Sequence, residues 1–239
     1  MKSIFSLLLI FIMAIANFFG GFAAAPADLA VAEDAYGKVE LTQKTGFFSA
    51  LEQLSSPVHS DVPRCMEKYG HGYGYIAYTT KLNRDYHNTP ITFTEIGDRA
   101  QIYVNRTLCG VVYVNDDELK TNIDAKKGDT LTILVENMGR TNFGPKMMRK
   151  KGIPGRLLLG DNIIHFGWQV YPLPMNNLDK ISYNKSFEEP SGFYKGNFKV
   201  NGPADTFVYL DNFKKGFVVI NGFNLGRYWE IGPQKTLYV

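Results

Sequence analysis

Two acidic clusters, Asp116-Asp117-Glu118 and Glu188-Glu189, are the residues of this chain whose types and spacing best suit chemistry. Paired carboxylates serve as general acid and base, or as acid and nucleophile, when a fold holds them a few ångströms apart across a substrate. Both clusters sit in polar stretches between expected strands, where acidic side chains are normally solvated, and no catalytic residue is assigned. His59, His71, His87 and His165 are scattered, with neither a His-Glu-x-x-His nor a close pair, so neither a metal nor another cofactor is expected. Cys65 lacks the surroundings of an activated nucleophile, and no Gly-x-Ser-x-Gly elbow exists. Gly70–Gly74 (GHGYG) is glycine-rich without the Lys and Ser/Thr of a phosphate loop, and reads as a turn entering a strand. The basic run Lys146–Lys151 (KMMRKK) reads as a solvated loop. A net charge of only +3, spread along the chain, points to no nucleic-acid partner.

The elements that would position these side chains are β-strands. The 239 residues are 45% hydrophobic, enough for one or two cores, and fourteen Tyr, seventeen Phe and twenty-three Gly suit strands joined by many turns. Gly37–Thr42, Tyr73–Thr80, Ile91–Ile96, Ala100–Asn105, Gly110–Val114, Thr130–Glu136 and Gly155–Leu159 read as strands. Phe47, Phe48, Leu51 and Leu54 recur at helical spacing, so Phe47–Leu54 reads as a short helix ended by Ser55-Ser56-Pro57. Pro172 and Pro174 flank Leu173 and predict an extended linker at the end of Gly167–Pro174. Beyond it, Phe198–Val200, Thr206–Leu210 and Phe217–Ile220 begin a second set of strands. The expected organisation is an all-β chain of two jelly-roll β-sandwiches, residues 36–170 and 171–239, the second incomplete.

Residues 1–27 have the layout of a secretory leader. Lys2 precedes the apolar run Ile4–Ala16, and Ala25 and Ala27 offer small residues for cleavage after Ala27. An uncleaved membrane anchor is the rival reading. Residues 28–35 then form a linker. Export permits glycosylation at Asn105-Arg-Thr and Asn184-Lys-Ser. It also leaves two readings of Cys65 and Cys109, a single bridge or two half-buried thiols.

A weak internal repeat spans the two domains. Ile102–Tyr113 (IYVNRTLCGVVY) lies over Val218–Trp229 (VVINGFNLGRYW), with Asn105 on Asn221, Gly110 on Gly226 and Tyr113 on Trp229. Each copy reads as a strand, an Asn-initiated turn and a glycine entering the next strand, which favours two copies of one fold type.

The stretch Asn221–Trp229 (NGFNLGRYW), followed by GPQKTLYV, resembles the galactose-binding-type domain of glycoside hydrolase family 35, the β-galactosidases. YGKVELTQK, GYGYIAYTT, DRAQIYVNRTLCGVVY and LTILVENMGRTNFG resemble the first accessory β-domain of the same family. The resemblance implies that the acid/base and nucleophile glutamates of the retaining mechanism lie on a (β/α)₈ barrel, no part of which is recognisable here. It implies a loop, Asn137, Arg140, Asn142 and Phe143, facing that barrel, with Phe143 where relatives commonly carry Tyr. It also implies that relatives continue past Val239 into a further strand, leaving an exposed β-edge at Leu237-Tyr238-Val239.

Three roles follow from these residues. The chain reads first as the non-catalytic C-terminal region of a secreted β-galactosidase-like enzyme. The second role is a free-standing secreted galactoside-binding module using Asn221, Phe223, Asn224, Arg227, Tyr228 and Trp229, since aromatic faces stack on pyranose rings while Asn and Arg bind hydroxyls. Phe223 and Trp229 in such a unit are also commonly core residues. The third is a structural partner of a separate catalytic barrel. Membrane contact is expected only if the leader stays attached.

Overall fold

A computed structural model describes residues 7–15, 28–30, 37–164, 167–183, 189–200, 202, 205–210 and 212–239, with side chains from residue 37 onward. The chain begins with strands β1 (Leu7–Ile15), β2 (Asp28–Ala30), β3 (Lys38–Glu40) and β4 (Gln43–Gly46), then helix α1 (Phe47–Leu54). Next come β5 (Val58–Ser60), β6 (Tyr75–Lys81), β7 (Tyr86–Phe93), β8 (Arg99–Val104), β9 (Thr107–Tyr113), β10 (Lys120–Ala125) and β11 (Thr130–Glu136). Short strands β12 (Leu157–Leu159) and β13 (Asn162–Ile163) lead to β14 (Trp168–Leu173). The last part holds β15 (Ser191–Lys199), β16 (Phe207–Tyr209), β17 (Lys215–Ile220), β18 (Phe223–Trp229) and β19 (Thr236–Tyr238).

These elements form two compact units, a central one of Leu51–Ile181 and a terminal one of Met1–Ala50 with Ser182–Val239. In the central unit a six-stranded sheet, β5-β14-β6-β11-β8-β9, faces a four-stranded sheet, β10-β7-β12-β13. Ile76, Tyr78, Ile102, Ile133 and Trp168 of the first and Ile91, Phe93, Ile123 and Leu157 of the second share one apolar core. This is the sandwich expected from alternating strands. The terminal unit has a five-stranded sheet, β18-β17-β1-β15-β4, and the two-stranded pairs β16-β19 and β2-β3. Its core joins Val39, Leu41, Tyr194, Val208, Phe213, Val218, Tyr228 and Leu237.

Several expectations change at the boundaries. Trp168–Leu173 is not a linker but a strand, paired with β6 through Pro172↔Ile76 and Leu173↔Tyr75. The proline is accommodated because β5 covers β14 only over Trp168–Val170, leaving Pro172 on an open edge where no N–H is needed. Gln43–Gly46, assigned by its sequence to the first domain, instead pairs with Gly192–Lys195 of the terminal unit. Leu7–Ile15, expected to stand outside both cores, runs as a strand between β15 and β17. An unbroken apolar run fits a strand buried on both faces as well as it fits a leader. The expected free edge at the tail is paired on one side: β19 lies against β16, and Thr206 and Val239 exchange two backbone hydrogen bonds.

The internal repeat is realised residue by residue. Hairpins β8–β9 and β17–β18 both close through two-residue turns with positive φ at both positions, Asn105 (48°) and Arg106 (73°) in one, Asn221 (49°) and Gly222 (82°) in the other. That is the turn that matches strand twist. Each hairpin then bulges at the corresponding place. Ile102 pairs with Gly110 and Tyr103 with Leu108, leaving Cys109 extra; Val218 pairs with Gly226 and Val219 with Asn224, leaving Leu225 extra. At the far end a buried cation lies over the facing aromatic ring in both, Arg99 at 5.4 Å from the Tyr113 centroid and Lys215 at 4.4 Å from that of Trp229.

Candidate functional site

The residues with chemical potential resolve first into structural duties. Asp116 accepts the Tyr113 backbone N–H at 2.7 Å and closes a tight turn, and Glu118 pairs with Lys120 at 2.8 Å in solvent. The Glu189 carboxylate accepts the Phe48 N–H (2.8 Å) and the Ser49 hydroxyl (3.0 Å), satisfying the N-terminus of α1. Glu188, His165 and Asn184 lie outside the described residues. His71 is buried and its Nε2–H donates to Tyr75 O at 2.9 Å; burial lowers its pKa. Among the described residues no group of three or more His, Cys, Asp or Glu could hold a metal. Cys65 and Cys109 are free, half-buried thiols. One stands beside Gly152 and the other is the bulge residue of β9.

In the central unit the loop after β11 divides into braced and projecting residues. Asn137 is buried: its Nδ2 donates to Gly72 O (2.9 Å) and its Oδ1 accepts the Gly139 N–H (3.0 Å). Arg140 Nη2 donates to Glu67 Oε1 at 2.8 Å. Burial raises the Glu67 pKa, but hydrogen bonds from Arg140 and from the Lys151 N–H outweigh it, and the carboxyl ends below its ordinary value. Asp98 Oδ2 accepts from Lys151 Nζ (2.6 Å) and from the Met138 N–H (2.8 Å). Lys151, the last residue of the basic run expected in solvent, is therefore buried as an ion-pair partner. What projects instead is Phe143, 86% exposed, with Asn142, Met147 and Met148.

In the terminal unit, β18 sorts its residues by the pleat and its bulge. Tyr228 is 2% exposed and packs in the core near Phe213. Asn224 Oδ1 accepts the Gly226 N–H at 2.9 Å and holds the bulge. Trp229 is half-buried under Lys215, and Asn221 occupies the exposed turn. Phe223, in contrast, is 71% exposed. It lines an open depression with Arg227, Gln234 and Tyr238, floored by Leu225 and Leu237. Tyr238 also meets Phe207 edge-on across the β16–β19 pair, at 5.6 Å between centroids, and its hydroxyl donates to Asp205. Of the six residues singled out on the tail, only Phe223 and Arg227 line this depression. Gln234 and Tyr238 were missed, although KTLYV alternates so that Leu237 faces the core and Tyr238 the solvent.

Comparison with known proteins follows the two units. Residues 63–174 match the family described as beta-galactosidase, first all-beta domain, and residues 191–239 match beta-galactosidase, galactose-binding domain. A beta-galactosidase of Xanthomonas manihotis is 35% identical over 195 residues, covering 80% of this chain and 32% of that protein. Those of Bos taurus and Homo sapiens are 36% and 35% identical, each over 86% of this chain and 35% and 34% of their own length. The chain thus spans about a third of the curated relatives it matches. It carries the all-β and galactose-binding domains of the β-galactosidase family, and resembles the non-catalytic β-domains of those glycoside hydrolases.

Proposed function

We propose that this chain serves as the non-catalytic C-terminal region of a secreted β-galactosidase of glycoside hydrolase family 35. The single observation that carries this reading is the match of both units to non-barrel domains. The commitment of Asp98, Asp116, Glu118, Glu136 and Glu189 to structural contacts agrees with it. In the whole enzyme the two carboxylates of a retaining mechanism would stand on a catalytic barrel, and the Asn142–Met148 loop would face it. Whether that barrel is covalently continuous or a separate chain, the exposed Phe143, Met147 and Met148 are the apolar surface it would cover. Residues 1–27 act as the export leader, and N-terminal sequencing of secreted protein, expected to begin at Asp28, tests that. Incubation with a chromogenic β-galactoside tests the main reading: no turnover is expected from the purified chain, and turnover above background overturns it.

A second reading, galactoside binding by the terminal unit, is favoured by the shared depression of Phe223, Arg227, Gln234 and Tyr238. An exposed ring beside a guanidinium and an amide is the mixture that stacks on a pyranose and binds its hydroxyls. Titration calorimetry with galactose should give heat at millimolar sugar that Phe223→Ala abolishes. Absence of heat in the intact chain removes this reading and leaves the first untouched.

A further inference from the structure

Three turns of the central unit meet at one end of its sandwich: residues 81–86 between β6 and β7, 105–106 between β8 and β9, and 126–129 between β10 and β11. Main-chain hydrogen bonds fuse them, from Leu82 N–H to Asp129 O (2.9 Å), Gly128 N–H to Leu82 O (2.8 Å) and Asn105 N–H to Thr130 O (2.9 Å). Lys81, Arg84, Arg106, Lys126 and Lys127 are all exposed there, and the only acids on the three turns are Asp85 and Asp129. That excess is as large as the formal net charge of the whole chain, +3, so charge that is spread in sequence is gathered in the fold. Both carboxylates are turned to the main chain. Asp85 accepts the Lys127 N–H at 2.8 Å. Asp129 accepts the Lys126 N–H and the Asn105 amide, each at 2.7 Å, and those bonds hold its pKa below the ordinary value. Asp124, at the margin on β10, is committed in the same way to the Asn88 N–H (2.9 Å).

We propose that this end of the central unit is a docking surface for an acidic polysaccharide, a sugar chain bearing sulfate or carboxylate groups. It is built on Lys81, Arg84, Lys126 and Lys127; Arg106 already engages a partner within the fold. Cations on a rigid frame suit a polymer whose negative charges recur, because each contact releases a bound counterion. Asn83 and Thr107, exposed beside them, supply an amide and a hydroxyl for sugar hydroxyls. A bilayer or a nucleic acid fits less well. Among the described residues no large apolar side chain is exposed on these turns to enter a membrane, and no exposed Phe, Tyr or Trp stands there to stack on a base. β11 runs from this end, at Thr130, to the loop that begins at Asn137, about 20 Å away at a strand's rise per residue. A polymer held here therefore leaves the Phe143 loop uncovered. The choice of a glycan rests on the β-galactosidase-like reading, in which this surface would hold a polymeric acidic substrate beside the enzyme.

The test is binding of the full chain to dextran sulfate and to polygalacturonate at low ionic strength, with uncharged dextran as the reference. Saturable binding is expected that uncharged dextran lacks and that added salt removes. Lys126→Glu with Lys127→Glu should weaken it at least about tenfold, as should Lys81→Gln with Arg84→Gln. Lys146→Glu with Lys150→Glu, the same charge reversal at the opposite end, should leave it within about twofold. Thermal midpoints matching the parent chain certify that each variant is folded. Absence of binding to both acidic polymers, or equal weakening by the two pairs of charge reversals, overturns the site. Duplex DNA or phosphatidylserine vesicles that compete as well as dextran sulfate overturn the glycan assignment. No turnover is read, so failure here leaves the non-catalytic reading standing, and turnover by the chain would remove that reading without touching this surface.

Discussion

Asp98 and Lys151 form a 2.6 Å ion pair whose side chains are nearly sealed from solvent, under the loop that carries Asn142 and Phe143. Removing one member strands the other charge in a poorly polarisable place, whereas replacing both removes the problem. Lys151→Ala should therefore destabilise the central unit by about 3–5 kcal/mol. Asp98→Asn with Lys151→Met should cost clearly less, as read from urea denaturation midpoints. Acid has its own signature. The folded pKa values of His71 and Glu67 both lie below their ordinary values, so the unfolded chain holds the protons more readily. Their stabilisation is complete above the ordinary histidine and carboxylate ranges respectively. It is lost as pH falls, first through the His71 window and then through that of Glu67. Midpoints measured from pH 8 to pH 3 should fall in that order, and Glu67→Gln should flatten the lower step. Little of this was legible in the sequence. The Asn-Met-Gly-Arg motif drew attention to Arg140, but Glu67 lies 73 residues away, and Lys151 sat in a run whose neighbours are exposed.

At the scale of elements, the repeated hairpin was visible in one line of sequence because turn chemistry is local: Asn at the first turn position and Gly where the strand re-enters follow from backbone sterics alone. The bulge and the cation over the ring were not visible, since they depend on which residues face each other across the ladder. The two turns differ at one place, Arg106 against Gly222, and a non-glycine residue at φ 73° costs energy that glycine does not. Arg106→Gly should stabilise the central unit by about 1 kcal/mol. Gly226→Ala, at φ 113°, should destabilise the terminal unit by about 1–3 kcal/mol. Paired thermal melts of the two variants test both signs. Trp168–Leu173 shows the opposite limit of local reading. Its prolines predicted a linker, yet the side of the strand that needs no N–H faces an open edge, which only the sheet reveals.

For the whole molecule, the family and the β-sandwich architecture were legible because alternating strands and the tail motif each carry local information. The division into units was not, since Gln43–Gly46 joins the terminal sheet by pairing with residues about 150 positions away, as Gly192↔Gly46 shows. That pairing also sets an order in time. The central unit is one unbroken stretch, Leu51–Ile181, and has every strand it needs once that stretch has left the ribosome. The terminal unit cannot close until residues beyond Ser191 are made, and closing so long a loop is slow. Pulse-labelling of refolding chains should show β11 amides protected well before those of β15. During synthesis β4 would therefore wait without its partner β15 while the central unit matures, which makes it the stretch where a chaperone has most to protect.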